Sequence, residues 1–95
     1  MVNNMELDEV RKNINQVDAS IASLFEKRMH LVEEVIKYKM EHNLPIFDEK
    51  REIEVLNKNL SLIEDENLKK YFKEFLIDMM NVSKKYQKEI LERNK

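Results

Sequence analysis

Residues 5–42 read MELDEVRKNINQVDASIASLFEKRMHLVEEVIKYKMEH, one unbroken helical pattern that decides the fold. Apolar side chains recur at Leu7, Val10, Ile14, Val17, Ile21, Leu24, Leu31, Val35 and Tyr38, the alternating three-and-four spacing of a helix that packs along its whole length. Arg28 fills the slot that this register keeps for an apolar residue between Leu24 and Leu31. Eighteen residues make about five full turns, so Arg28 points the same way as Val10, and Lys39 the same way as Ile21. The stripe expected to be buried therefore carries two cations at its centre.

Composition bounds the rest. With 95 residues, the chain is expected to form one domain near the small end of what is stable alone. It is 38% charged, has no glycine and has a single proline, so turns at positive φ are scarce and long helices are favoured. All-α is the class that fits. Lacking cysteine, the chain can build no disulfide, thiolate nucleophile or thiolate metal site. Neither an apolar run of about 18 residues nor a charged-then-apolar leader is present, so a cytoplasmic protein without membrane attachment is expected. A net charge of -2 argues against general nucleic-acid binding, which usually shows a basic footprint. Any anion bound here should be small and held by a few placed cations.

In chain order, Met1 to Asn4 reads as a disordered start. The first helix is expected over about residues 5–42, ending before Pro45, which disfavours a helical Leu44 and removes a donor. At about 1.5 Å per residue it would span about 57 Å, whereas a compact chain of this length has a radius of gyration of about 12 Å. Its seam therefore needs a second chain, and a C2 homodimer is expected. Asp48 reads as the N-cap of a second helix, about 49–62, with Ile53, Leu56, Leu60 and Ile63 on one face. Asp65 would cap a third, about 66–92, apolar at Leu68, Phe72, Phe75, Leu76, Met79, Tyr86 and Ile90. Ser83 and Gln87 interrupt that stripe. No internal repeat or linker is apparent.

Each interruption has a plain structural explanation. A long Arg or Lys on an apolar stripe can bury its stem and wet its head. Arg28 and Lys39 together are harder to explain, because they lie about 16 Å apart along the axis and two buried cations call for a negative partner. That partner is either a carboxylate such as Glu52 or an anionic ligand. Asp48, Arg51 and Glu52 share one helix face, the pattern of an exposed, salt-bridged turn. Taken singly, Ser83 would bond back to its own helix and Gln87 would lie on the surface. His30 and His42 have no metal-ligand spacing, Met79 and Met80 pack in or near the core, and Tyr71 and Tyr86 are expected to pack.

Taken together, Arg11, Arg28, Lys39, Asp48, Arg51, Glu52, Ser83 and Gln87, set on three helices in this order, resemble the AroQ-type, all-helical chorismate mutases. The likeness runs from about Glu6 to Ile90. It rests on local runs: Val10-Arg11-Lys12-Asn13-Ile14 with Asp18 after them, Glu26-Lys27-Arg28, Val35-Ile36-Lys37-Tyr38-Lys39, Pro45-Ile46-Phe47-Asp48 leading to Arg51-Glu52, and Ser83 four before Gln87. Each run is weak alone; all of them in register are specific.

The resemblance implies one type II domain over residues 1–95, an intertwined three-helix homodimer, and a Claisen rearrangement of chorismate to prephenate in aromatic amino acid biosynthesis. Such a pericyclic reaction needs no nucleophile, cofactor or metal. By analogy with the family, Arg11 and Arg28 clamp the two carboxylates. Lys39 and Gln87 donate to the ether oxygen as its negative charge grows. Glu52 and the backbone near Asp48 receive the ring hydroxyl, Ser83 assists a carboxylate, and Arg51 supports the cluster.

Geometry adds one expectation. Arg11 precedes Arg28 by about 26 Å on a rigid helix, so it would have to serve the partner's pocket. Two first helices crossing antiparallel near Ala22 would bring it there, with Ala19, Ser20, Ala22 and Ser23 permitting close approach. The alternatives are isochorismate pyruvate lyase chemistry on the same fold, a regulatory association with another shikimate-pathway enzyme, and a helical dimerisation module without catalysis. The last leaves Arg28 and Lys39 without a purpose.

Overall fold

The computed structural model describes residues 4–95. Of the start expected to be disordered, Met1 to Asn3 lie outside the described residues, and at Asn4 the first helix already begins. The elements in chain order are α1 (Asn4–Glu41), α2 (Glu49–Leu60), a 3-10 turn (Glu66–Leu68) and α3 (Lys69–Arg93). No strand occurs among the described residues. Two compact units divide the chain, residues 1–31 and residues 32–95.

The first unit is helical wherever it is described. Within it only Arg28 and Met29 are half-buried, and every other residue from Glu6 to Leu31 is exposed. The expected seam is thus uncovered within this chain, from 36% exposure at Leu7 to 65% at Leu24. Arg28 accordingly is not a buried charge in the single chain.

The second unit holds the core: Val32 and Ile36 from the end of α1, Val55 from α2, and Leu76 and Met80 from α3. Val32 and Ile36 lie off the expected seam, whose last members Val35 and Tyr38 remain exposed. The apolar arc of α1 is wide enough to serve two directions, and the chain's own packing uses the one next to the seam. In α2 the inward face is also turned from expectation. Val55 is buried while Ile53 is half out, which carries Glu52 and Asn59 inward beside Leu56 and Leu60. Leu68 and Phe75 of the third predicted stripe are likewise exposed, and Leu76, Met80, Ser83 and Gln87 form the buried line of α3.

Local chemistry sets each boundary. With no glycine available, Asn43 takes the left-handed conformation (φ 55°) that ends α1, a role few residues besides glycine fill without strain. The Leu44 N–H then reaches back to the Lys39 carbonyl at 2.9 Å and the His42 N–H to the Tyr38 carbonyl at 3.1 Å. Asp48, extended at φ -132° and ψ 91°, accepts the Arg51 N–H at 3.1 Å and starts α2, an ordinary N-cap. After Leu60 the helix gives way to tighter turns, in which the Leu62 and Ile63 N–H groups reach the Asn59 and Leu60 carbonyls at 3.0 and 3.2 Å. Asp65 caps a single 3-10 turn before α3, where one continuous helix is expected from sequence.

Tyr86 of α3 donates to Glu33 of α1 at 2.5 Å. That hydrogen bond, followed by partial desolvation and the Glu33 charge, raises the phenol above its ordinary value of 10.0. A raised folded value means that this contribution to stability is complete below the unfolded phenol's pKa and is lost as pH rises through the folded one. Urea midpoints taken from pH 8 to 11 are therefore expected to fall above about pH 10 more steeply for the unaltered chain than for Tyr86→Phe. Parallel curves would show that the contact carries no stability.

Candidate functional site

Lys39 is fixed by the loop that succeeds it. Half-buried on the last turn of α1, its ammonium donates to the Ile46 carbonyl at 2.7 Å, while its own carbonyl accepts the Leu44 N–H. A neutral carbonyl holds this cation, where the sequence left open a carboxylate such as Glu52 or an anionic ligand as its partner. An ammonium has three donors, so two remain for another acceptor.

Glu52 pairs with a lysine of α3. Its Oε2 lies 2.9 Å from Lys84 Nζ, and the two side chains are only 25% and 28% exposed. Lys84 also stands 4.9 Å above the Phe47 ring. Nothing in the sequence singles out Lys84, which sits in the pair Lys84-Lys85 and reads as part of a solvated face. Only the burial of Ser83 and Gln87 on either side of it shows that this turn of α3 faces inward.

Asp48 and Arg51 stay at the surface. Asp48 spends its carboxylate on the helix cap, and the Arg51 guanidinium lies 3.6 Å from Glu54, both side chains more than half exposed. At that exposure such a pair adds little stability.

Ser83 and Gln87 are the two buried polar residues of the described chain, 5% and 6% exposed. The Ser83 hydroxyl donates to the Met79 carbonyl at 3.0 Å, the back-bond expected of it. Gln87 departs from the surface position it would take alone, and its amide oxygen has no partner among the described residues. Leaving such an atom unpaired costs about 1–3 kcal/mol.

Arg11 and Arg28 belong to the first unit, Arg11 exposed and Arg28 half-buried. Lys39, Glu52, Ser83 and Gln87 thus fall in the second unit, half-buried or buried, with Asp48 and Arg51 at its surface. A groove of about 380 Å³ also opens beside Lys39, lined among others by Ile36, Met40, Leu44, Leu91 and Asn94. Glu52, Ser83 and Gln87 are not among the residues that line it. His30 and His42 are exposed, His42 stacked on Tyr38 with ring centroids 3.9 Å apart. Among the described residues no three His, Cys, Asp or Glu side chains could together hold a metal ion, and no helix is long and apolar enough to cross a membrane.

The family model for chorismate mutase type II matches residues 10–88. The chain is similar to the T-protein of Haemophilus influenzae, 42% identical over 50 residues, which amount to 53% of this chain and 13% of that protein. It thus spans about an eighth of the length of that curated relative. Among solved structures it is similar to a conserved hypothetical protein from Pyrococcus furiosus, with 35% identity and a TM-score of 0.74, covering 90% of this chain and 99% of that one.

Since the Gln87 amide oxygen is buried and unpartnered, Gln87→Leu is expected to leave the urea midpoint unchanged or raise it, by removing an unsatisfied group at similar volume. A loss greater than about 1 kcal/mol would show instead that the amide is part of the frame.

Proposed function

The chain belongs to the chorismate mutase type II family, and from that premise we propose that it converts chorismate to prephenate as a single domain working in a homodimer. The strongest support is Gln87: a polar side chain kept on the buried inward line of α3, at a position the family gives to a substrate ligand.

The reaction breaks the ether C–O bond of the enolpyruvyl group while a C–C bond forms at the ring, in one cyclic shift of electron pairs without net proton transfer. Two tasks fall to the protein. The first is to hold a flexible dicarboxylate in a folded conformer, which converts lost freedom into rate. Arg28 and the partner's Arg11 take the carboxylates, guanidinium forks suiting that geometry, with Ser83 assisting one of them. The second is to stabilise negative charge growing on the ether oxygen. Lys39, already oriented by the Ile46 carbonyl, donates from one side, and Gln87 donates through its amide N–H from the other. Glu52 and the backbone at Asp48 accept the ring hydroxyl, and Arg51 supports the turn between them.

The exposed seam of α1 supports the second chain in this reading. Its apolar residues need cover, and an antiparallel copy crossing near Ala22 would supply it.

Purified protein without added cofactor is expected to consume chorismate at neutral pH, the product giving phenylpyruvate on acid treatment. Lys39→Ala should lower kcat/KM by at least about a thousandfold. Pyruvate released from isochorismate, with no loss of chorismate, would instead assign lyase chemistry. Neither activity would leave a dimerisation module.

For the shared site, Arg11→Ala and Arg28→Ala are each expected to be inactive. Mixed under conditions of subunit exchange they should recover activity, since a heterodimer holds one intact pocket. Absence of recovery in mixtures shown to contain heterodimer would place Arg11 outside the pocket.

A further inference from the structure

We propose that Lys84 is a positioning residue for the proposed rearrangement, holding the Glu52 carboxylate in place for the ring hydroxyl of the substrate; this rests on the mutase reading of the site. Three observations meet at this side chain. Its ammonium lies 2.9 Å from Glu52 Oε2, it stands over the Phe47 ring at 4.9 Å, and it sits on the turn of α3 between buried Ser83 and buried Gln87.

The pair is of the kind that can orient a group. Unlike the surface pairs Arg51–Glu54 and Arg93–Glu89, both partners are about three-quarters buried and come from different helices. A contact across elements at low exposure is screened less than a surface pair and restricts both side chains. Lys84 engages one oxygen of Glu52 and so leaves the other as an acceptor. A carboxylate has about four acceptor positions, and fixing one oxygen directs the second. Phe47 lies just before Asp48, so one cation braces both the carboxylate and the loop whose backbone is assigned to the same hydroxyl. Lys84 touches no reacting atom; its effect passes through Glu52 and Phe47.

The test uses the full chain and two substrates, chorismate and an analogue whose ring hydroxyl is replaced by hydrogen. Lys84→Met is expected to lower kcat/KM for chorismate about tenfold, with Lys84→Arg recovering most of it. On the analogue, Lys84→Met and the unaltered chain should turn over alike. In a Glu52→Gln background, adding Lys84→Met should cost little more, because the two residues act as one unit. Equal losses on both substrates would mean that Lys84 only supports the fold and would overturn the proposal, as would no loss on either. Should Lys84→Met fail to fold, Lys84→Gln carries the same comparison, keeping length and a donor without the charge. If the unaltered chain does not rearrange chorismate at all, the mutase reading fails first and the role assigned to Lys84 falls with it.

Discussion

The turn after α1 depends on Lys39, which is bonded into it twice. Its carbonyl closes the turn on Leu44 and its ammonium closes the next few residues on Ile46. Between those bonds the chain reverses at Asn43 with no glycine to ease the positive φ. This closure constrains the next residues: Pro45 is rigid, Phe47 is carried under Lys84, and Asp48 arrives extended, the conformation an N-cap requires. The start of α2, and with it the inward direction of Glu52, is set by a turn that a residue of α1 ties down. A residue assigned to substrate thus also has a structural duty, so its loss would remove more than one donor.

α3 shows the complementary arrangement. Its buried line runs Leu76, Met80, Ser83, Gln87, two apolar residues and then two polar ones. The apolar half supplies ordinary core energy, about 1.5–3 kcal/mol for each large side chain fully buried. The polar half gives some of that up. Ser83 recovers its hydroxyl with a bond to its own helix, while the Gln87 oxygen recovers nothing among the described residues. Glu52 and Lys84 offset one another across α2 and α3. Polar groups of this kind are expensive unless matched, and Gln87 is the one whose oxygen stays unmatched among the described residues.

The three helices are legible in the sequence because their causes are local. Asp48 and Asp65 announce caps, Pro45 announces a stop, and unbroken periodicity without glycine leaves no other class. Individual faces are harder. α1 is apolar over a wide arc, and spacing alone favours the more regular seam from Leu7 to Tyr38, whereas Val32 and Ile36 on the adjoining face form the chain's own core. Ile53 and Val55 pose the same problem in α2, since both are β-branched and only packing against α3 decides between them. Of the candidate site, residue types and order can be read, but partners cannot. Lys84 shows why: a lysine beside another lysine has no signature of burial, and its pairing with Glu52 arises only when two helices distant in sequence meet.

The proposed chemistry makes sense of a frame so rich in charge and so poor in special backbone. A reaction that moves no net proton needs no nucleophile, no titrating pair and no glycine-lined approach of backbone to substrate. It needs cations and donors held still, and that is a task for side chains on helices. Stillness is the difficult part, because lysine and arginine carry long, flexible stems. Lys39 loses that freedom to a carbonyl, and Glu52 loses it to Lys84. In each case the ordering is done by a bond within the chain before any ligand arrives, so less of the binding energy is consumed in fixing side chains. The same logic explains why Lys39 is held by a neutral carbonyl instead of a carboxylate. A carbonyl orients the ammonium yet leaves its charge available to a growing oxyanion, where a paired carboxylate would have cancelled it.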